Sequence, residues 1–169
     1  MMTKNNKEEF SRLIEENKLL IYKICNSYCK NKHDRDDLAQ EITYQLWKSF
    51  SQFNGSVKFS TWMYRVALNV AISFYRKSKN STEITELTEP VTELADKNEN
   101  KLELERNIDK LQQFISELKE LDKALMILYL EEKNYSEIAE ILGITETNVA
   151  TRISRAKDKL KQKFSTINN

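Results

Sequence analysis

Hydrophobic side chains recur through most of this sequence at helical spacing, three or four residues apart. In the clearest case Val149, Ile153, Ala156, Leu160 and Phe164 form one apolar stripe, while polar side chains occupy the other faces. With only two glycines and one proline to interrupt such patterns, the chain is predicted to be all-α. The predicted helical blocks cover about 7–31, 34–50, 59–79, 104–118, 123–132, 134–142 and 146–164.

The segment from Asn134 to Lys163 is predicted to be two helices joined by a tight turn. Asn134 followed by Glu137 is the signature of a capping box, and Gly143 stands where the chain must turn. Thr145 is then expected to cap the second helix. This pattern is typical of a helix-turn-helix, whose second helix enters the major groove of DNA.

The second helix of this hairpin carries polar and basic side chains away from its apolar stripe. Between residues 144 and 163, six basic side chains stand against two acidic ones, a balance that suits phosphate contact beside base readout. An ordinary helical hairpin with a solvated basic face is the alternative interpretation. The candidate DNA-contacting residues are Thr147, Asn148, Thr151, Arg152, Ser154, Arg155, Lys157 and Lys159.

A polar stretch separates the hairpin's half of the chain from the first half. From Asn80 to Arg106 there are eight acidic residues against three basic ones, together with Pro90, the only proline. By composition this is a flexible acidic linker, which we assign to residues 80–103. The sequence therefore predicts a three-block helical domain over 1–79 and a four-helix domain over 104–169.

Aromatic and basic residues alternate in the block 59–79. Rings that stack on bases and cations that follow the backbone are typical of proteins that bind single-stranded nucleic acid. Large rings spaced along a helix usually fill the core of a bundle, so a purely structural role is the other interpretation. The aromatic residues are Phe59, Trp62, Tyr64, Phe74 and Tyr75.

Charge and hydropathy limit the classes of function. A formal net charge of +1 is low for a protein that holds DNA unaided, so we expect weak contact or help from a partner. The longest apolar run, 124–130, is far short of the ~20 residues that span a bilayer, and the N-terminus is polar. We expect a cytoplasmic protein without membrane insertion.

The sequence gives little support for a metal site or a catalytic centre. Cys25, Cys29 and His33 form a C-x3-C-x3-H pattern, but on a straight helix its ends are about 12 Å apart at ~1.5 Å per residue. Zinc needs its ligand atoms within about 2.3 Å. With a single histidine and no glycine-rich phosphate loop, we predict no metal, no cofactor and no catalytic residue.

Two motifs in this order resemble a known family. DxxDLAQExxxxLWKSF covers 34–50, FSTWMYRVALNVA covers 59–71, and the acidic linker and helix-turn-helix follow. The chain is similar, from about Phe10 to Phe164, to bacterial RNA polymerase sigma factors of the extracytoplasmic-function type. The resemblance implies a non-enzymatic protein that binds core polymerase, directs it to promoters and assists DNA melting.

The resemblance also assigns roles to residues of the first domain. The segment 34–53 would dock on the clamp helices of the largest polymerase subunit, and the segment 53–79 would melt the minus-ten element and hold a flipped base. Taking a base out of the stack costs a few kcal/mol, so a receiving pocket is needed. The implied polymerase-binding residues are Asp37, Gln40, Glu41 and Trp47. The implied residues for the melted element are Asn54, Gly55, Ser56, Val57, Lys58, Arg65 and Asn69.

The chain departs from the family at three places. The loop reads Phe53-Asn54-Gly55-Ser56 where the family often has Phe-Arg-Gly and an acid, and Ala150 replaces a frequent basic residue. Asp122, an expected helix cap, replaces a usual proline. By resemblance the helix-turn-helix would read the minus-thirty-five element in the major groove. We expect different residues of its second helix to contact base edges and phosphates. Thr151, Ser154 and Arg155 are assigned to base edges, and Arg152, Lys157 and Lys159 to phosphates.

Further partners and two alternative functions are compatible with parts of the sequence. By resemblance an anti-sigma factor is a further candidate partner, and the acidic linker would run toward the polymerase RNA path. A free-standing helix-turn-helix regulator that binds duplex DNA as a dimer is the alternative function, and it would bind its operator unaided. A helical scaffold without nucleic-acid function fits the segregated charge less well.

Overall fold

The computed structural model describes residues 4–80 and 99–167, and this part of the chain is all-α. A single 3-10 turn, Phe50–Gln52, follows the third helix. The helices are α1 (Lys4–Glu16), α2 (Lys18–Tyr28), α3 (Lys32–Ser49), α4 (Phe59–Asn80), α5 (Glu99–Glu117), α6 (Glu120–Leu130), α7 (Tyr135–Leu142) and α8 (Glu146–Ile167).

The first predicted block, 7–31, is two helices rather than one. The break lies at Asn17, whose backbone leaves the helical region at φ −114° and ψ 12°. Its side-chain amide donates a hydrogen bond to the Leu13 carbonyl at 2.8 Å. An asparagine that bonds to the preceding turn competes with the helix, which explains why apolar periodicity alone did not reveal this boundary.

Helix α3 begins earlier than predicted, and its cap is Asn31 rather than Asp34. The Asn31 side chain accepts a hydrogen bond from the Asp34 backbone N–H at 2.8 Å and donates one to the Asp34 carboxylate at 2.8 Å. Asp34 therefore lies inside the first turn, where its charge still favours the positive end of the helix.

The N-terminal helices form one apolar core. Leu38, Ile42 and Leu46, spaced by four along α3, are fully buried, as are Met63 and Leu68 of α4. Helix α3 packs along α4, and α2 packs against both. This arrangement places the connection between the 3-10 turn and α4 at one end of the bundle, where it is exposed.

The C-terminal half contains four helices, as the sequence predicts. Helix α5 begins at Glu99, so residues 99–103 of the assigned linker are helical, while 81–98 lie outside the described residues. Helix α6 begins at Glu120, which puts Asp122 inside its first turn and makes Lys119 the capping residue. The expectation that Asp122 caps this helix is therefore wrong.

The two halves pack against each other. Helix α4 lies against α6 and α7, and α2 lies against α5 and α6. The Tyr28 hydroxyl donates a hydrogen bond to the Glu120 carbonyl at 2.7 Å. Buried residues of the C-terminal half belong to the same contiguous core as those of α2 to α4. They include Ala124, Leu125, Ile127, Leu128, Ile138, Ile141, Val149 and Ile153.

Candidate nucleic-acid and polymerase interfaces

The helix-turn-helix is built from local signals in the sequence. Asn134 accepts from the Glu137 backbone N–H, and the Glu137 carboxylate accepts from the Asn134 N–H, both at 2.9 Å, which confirms the capping box. Gly143 takes the left-handed conformation at φ 67°, which a glycine adopts without strain. Thr145 accepts from the Asn148 N–H at 3.1 Å and so caps α8.

One face of α8 is buried and the opposite face is open. Val149, Ile153 and Ala156 lie in the core, as predicted. Asp158 also projects from the open face, three residues beyond Arg155, and an acid there disfavours close approach of a phosphate. Helical periodicity could have identified it as a member of this face. The exposed candidates are Thr147, Asn148, Thr151, Ser154, Arg155 and Lys159.

Arg152 differs from the other candidates because its guanidinium is already bound. It donates to the Asp122 carboxylate at 2.7 Å and to the Asn148 side-chain oxygen at 3.0 Å. Its side chain is 34% exposed and that of Asp122 21%, so this ion pair is partly shielded from water. Asp122 therefore holds α8 against α6 instead of capping α6.

Lys157 lies on the other flank of α8. Its ammonium stands 4.4 Å from the centre of the Tyr129 ring. A hydrogen bond with the Tyr129 side chain raises the pKa of Lys157 above its usual value, so the charge is kept. Arg152 and Lys157 thus lie against α6, whereas Arg155 and Lys159 point into solvent.

The candidate loop for a melted strand is exposed above an aromatic cluster. The Asn54 side chain accepts from the Ser56 backbone N–H at 3.0 Å, and Gly55 has φ 74°, so the loop turns tightly on itself. Phe53 and Phe59, which flank the loop in the sequence, pack with Trp62, and the three ring centres are 5.3 to 5.5 Å apart. These three rings are half-buried, which combines core packing with an accessible edge. Val57 is half-buried, whereas Lys58 is exposed.

Arg65 and Asn69 are separated from that loop along α4. The Arg65 guanidinium lies 3.4 Å from the Glu140 carbonyl and 3.5 Å from its carboxylate, both on α7. Asn69 is exposed and lines a groove between α3 and α4. The structure therefore brings Asn69 together with Asp37, Gln40 and Glu41 rather than with residues 54–58.

The candidate polymerase-binding residues share the outer face of α3. Asp37, Gln40 and Glu41 are all exposed, and all three line this groove, which has a volume of about 840 Å³. Tyr44 lies in the same row and is 55% exposed, although sequence reasoning omitted it. Its position, four residues after Gln40 and three after Glu41, was the available signal.

Trp47 lies at the margin of that face. Its ring packs edge-on against Phe10 with centres 5.0 Å apart, and the side chain is half-buried. Trp47 lines a shallow apolar depression with Phe10, and this depression adjoins the groove between α3 and α4, because Gln40 and Tyr44 line both. Trp47 consequently contributes to the core as well as to the surface.

The cysteines and His33 do not form a metal site. Burial raises the pKa of Cys25 to about 12 and that of Cys29 to about 11, so both stay protonated thiols. His33 is exposed and stands 3.4 Å from the Asp37 carboxylate. Among the residues that the structure describes, no three His, Cys, Asp or Glu side chains are grouped to hold a metal ion.

Comparison with known proteins agrees with this two-part layout. The Sigma-70 region 2 family matches residues 13–81, and the Sigma-70 region 4 family matches residues 108–160. The ECF RNA polymerase sigma factor SigW of Bacillus subtilis is 30% identical over 95% of this chain and 91% of its own length. The chain belongs to the extracytoplasmic-function family of RNA polymerase sigma factors. Sigma factors of this family direct RNA polymerase to promoters for transcription initiation and are non-enzymatic subunits, so the function predicted from the motifs is confirmed.

Solved structures confirm the fold of this sigma factor. RpoE from Bartonella quintana, in complex with the anti-sigma factor NepR, matches with a TM-score of 0.68 at 17% identity, covering 95% of this chain and 96% of that one. CnrH, in complex with the cytosolic domain of CnrY, matches with a TM-score of 0.66 at 20% identity, covering 95% and 90%. Within residues 4–80 and 99–167, every helix is too short or too polar to traverse a lipid bilayer.

Proposed function

We propose that this sigma factor divides promoter recognition between its two halves. Residues 1–79 bind core polymerase and hold the melted minus-ten element, residues 104–169 read the minus-thirty-five element, and 80–103 connect them. The observation that carries this proposal is the placement of three exposed polar surfaces on separate elements: the face of α3, the loop 54–58 and the open face of α8.

The proposed polymerase contact is the outer face of α3. Asp37, Gln40 and Glu41 stand side by side there, with Tyr44 next in the row. Acid, amide and aromatic groups on one helix face suit an anchor for a partner helix, which fits the clamp helices of the largest subunit. Trp47 contributes at the margin, where Phe10 holds its ring.

The proposed site for the melted strand is the loop 54–58. Its polar side chains and backbone N–H groups follow Phe53 and precede Phe59, two rings that pack with Trp62, and such a combination can receive a base taken out of the stack. Lys58 supplies positive charge toward the strand, and Arg65 can add to it when its guanidinium leaves Glu140. Asn69 lies further along α4, at the boundary with the polymerase-binding groove.

The proposed reading surface for the upstream element is the open face of α8. Thr151, Ser154 and Arg155 contact base edges, with Thr147 and Asn148 at the N-terminal end of the helix, where such contacts begin. Lys159 contacts phosphate one turn beyond Arg155. Arg152 and Lys157 add phosphate contact from the flanks, because Arg152 has five N–H donors and its bonds to Asp122 and Asn148 use two of them.

Two further assignments follow from this function. The protein works in the bacterial cytoplasm, where polymerase and chromosome are found. We also propose an anti-sigma factor as a partner, a proposal supported by the matched structures, in which RpoE is bound to the anti-sigma factor NepR and CnrH to the cytosolic domain of CnrY. Co-purification of the full chain with a partner that blocks its binding to core polymerase tests this assignment.

Run-off transcription with purified core polymerase on a genomic fragment library tests the proposed function. Core polymerase with this chain should initiate at a defined set of fragments, and core alone should not. Substitution of Arg155 should change which fragments are used, whereas substitution of Gln40 and Glu41 should lower initiation on all of them. Sequence-specific duplex binding by the isolated chain, with no effect on core polymerase, would favour the free-standing regulator.

A further inference from the structure

Asn148 lies at the N-terminal end of the open face of α8, and two hydrogen bonds fix its position. Its backbone N–H donates to the Thr145 side-chain oxygen at 3.1 Å, and its side-chain oxygen accepts from the Arg152 Nε–H at 3.0 Å. Arg152 follows four residues later, one turn along the same side of the helix. The side chain of Asn148 is therefore held although the residue is exposed.

Asp122 of α6 holds Arg152 in place for this contact. Its carboxylate accepts from Arg152 Nη1 at 2.7 Å, and both side chains are partly shielded from water. A charged hydrogen bond of this kind is stronger than one between neutral groups. Arg152 thus joins Asp122 to Asn148, so a residue of another helix determines how a side chain on the proposed reading surface is turned.

The chemistry of arginine determines which atom of the Asn148 amide is left for DNA. A guanidinium carries N–H donors and no acceptor, so the amide atom that meets it must be the oxygen. Within residues 4–80 and 99–167, no group accepts a hydrogen bond from the NH2 at the other end of the amide. Asn148 consequently presents donors to the groove, whereas an unheld asparagine can present either a donor or an acceptor.

A group that presents only donors distinguishes two classes of base. In the major groove guanine and thymine carry a carbonyl acceptor, O6 or O4, where adenine and cytosine carry an amino group, N6 or N4. An NH2 group pairs with the carbonyl but leaves an amino group without a partner, which is costly in an interface. Asparagine usually reads adenine with its oxygen and NH2 together, and that readout is closed to an amide whose oxygen is turned to Arg152.

We infer that Asp122 and Arg152 set the base preference of Asn148: the held amide selects a keto base, guanine or thymine, at one position of the upstream element. The inference rests on the proposed function of α8 as the reading surface. In this readout Asn148 is the contact residue, and Asp122 and Arg152 are positioning residues that act through its orientation. A side chain held before binding also loses less conformational freedom when it meets the base, which strengthens the preference.

Run-off transcription from a promoter library with a randomised upstream element tests this inference. The full chain is used with core polymerase, and Asn148→Ala identifies the position that Asn148 reads, because only that position should lose its preference. There the wild-type protein should favour guanine or thymine over adenine and cytosine by at least about fivefold. A wild-type preference for adenine or cytosine at that position, or no position changed by Asn148→Ala, would overturn the inference.

The variant Asn148→Asp changes the outward group from a donor to an acceptor. Its carboxylate still accepts from Arg152 but presents oxygen where the amide presents NH2, so the preference should change to the amino bases cytosine and adenine. Because the residue is exposed, the substitution leaves the core of the domain intact. If Asn148→Asp kept the base order of the wild-type protein, the proposed orientation would be wrong.

The variant Asp122→Ala tests the positioning role. Without the carboxylate Arg152 is released and the amide can turn over, so transcription with adenine should rise to within about twofold of that with guanine at this position alone. Glu117→Ala is the matched control, because it removes the ion pair that α5 makes with Lys163 of α8, and it should keep the wild-type profile. Equal base profiles for the two variants would overturn the positioning role of Asp122.

The inference and the proposed function fail in different ways. A wild-type protein without base preference at any upstream position would refute α8 as the reading surface. Nuclear magnetic resonance of the free chain then shows whether the amide is held: hydrogen exchange of the Arg152 Nε–H should be at least about tenfold faster in Asn148→Ala than in the wild-type protein. Equal exchange rates would overturn the contact itself, whatever the transcription result.

Discussion

Arg152 and Arg155 lie three residues apart on α8, and we propose different roles for them because their surroundings differ. Arg152 is bound to Asp122 and Asn148, whereas Arg155 projects into solvent. A guanidinium that is already paired must give up or share these bonds to contact a base, so the unpaired one is the better reader of base edges.

The open face of α8 gives a prediction about base readout. Arg155→Ala should remove a groove contact worth about 1–3 kcal/mol and relax the preference at one or two positions of the upstream element. Lys159→Ala is the matched variant at a proposed phosphate contact. It should weaken binding to all promoter sequences alike and reduce the slope of log affinity against log salt concentration by about one. Transcription from a promoter library at two salt concentrations distinguishes the two. An equal loss on every promoter for Arg155→Ala would make it a phosphate contact.

Lys123 gives a prediction about pH. Burial lowers the pKa of Lys123 to about 8, although Glu120 and Cys29 raise it and Lys79 and Lys30 lower it further. Because the unfolded chain then holds more protons than the folded chain above about pH 8, stability due to this residue rises with pH from there toward the ordinary lysine pKa. The rise is at most about 1.4 kcal/mol per pH unit.

The comparison with Lys123→Met isolates this effect. Burial raises the pKa values of the thiols Cys25 and Cys29, which makes stability fall at higher pH in both proteins, so their difference reports on Lys123. Urea unfolding at about pH 7.5 and about pH 9 should show wild type gaining stability relative to Lys123→Met. A difference independent of pH would show that Lys123 is not desolvated in solution.

Helix α3 uses one face for packing and another for its proposed binding surface. Helix α3 buries Leu38, Ile42 and Leu46 and leaves a row of polar side chains outside, so its packing and its proposed binding surface are separate. Trp47 belongs partly to both, since its ring packs on Phe10. Substitution of Trp47 therefore tests folding and binding together, and the outer row gives the cleaner experiment.

The outer row of α3 gives a prediction about core binding. The double variant Gln40→Ala and Glu41→Ala should weaken binding to core polymerase by at least about tenfold, a loss of about 1.4 kcal/mol, with unchanged helicity. Titration of labelled sigma factor with core polymerase measures this. Glu9→Ala with Glu16→Ala, on the exposed surface of α1, is the control and should bind as wild type. Unchanged binding of the α3 variant would place the polymerase contact elsewhere.

At the scale of the whole molecule, the net charge limits how firmly the protein can hold DNA by itself. A net charge of +1 supplies little general attraction to DNA. Under the proposed function, core polymerase therefore adds contacts that the isolated chain lacks.

This gives a prediction for the isolated chain. Alone, it should bind promoter duplex weakly, with strong dependence on salt, and with similar affinity for a full promoter and for a fragment with the upstream element only. With core polymerase the full promoter should be strongly preferred. Fluorescence anisotropy at two salt concentrations measures the affinity for each DNA, without and with core polymerase. Tight binding of the full promoter by the chain alone would contradict this weak binding.

Local signals in the sequence were sufficient for the helices and for the helix-turn-helix. The capping box of Asn134 and Glu137, the turn at Gly143 and the cap at Thr145 depend on residues within a few positions of one another, so the sequence reveals them directly. The apolar stripe of α8 is equally local. Short-range rules failed where two of them competed, as at Asn17 and at the start of α3, and they also misplaced the cap of α6 at Asp122.

Partners distant along the chain were decided by the tertiary structure alone. Arg152 binds Asp122, Arg65 meets Glu140, and Lys123 lies between Tyr28 and Tyr75, and nothing in the spacing of these residues indicates the pairing. Periodicity assigns a side chain to a face but does not say which element covers that face. The sequence by itself thus determined the family, most of the helix positions and the polar, open face of α8. Packing between helices determined which charges are free to meet DNA and that the two halves share one core.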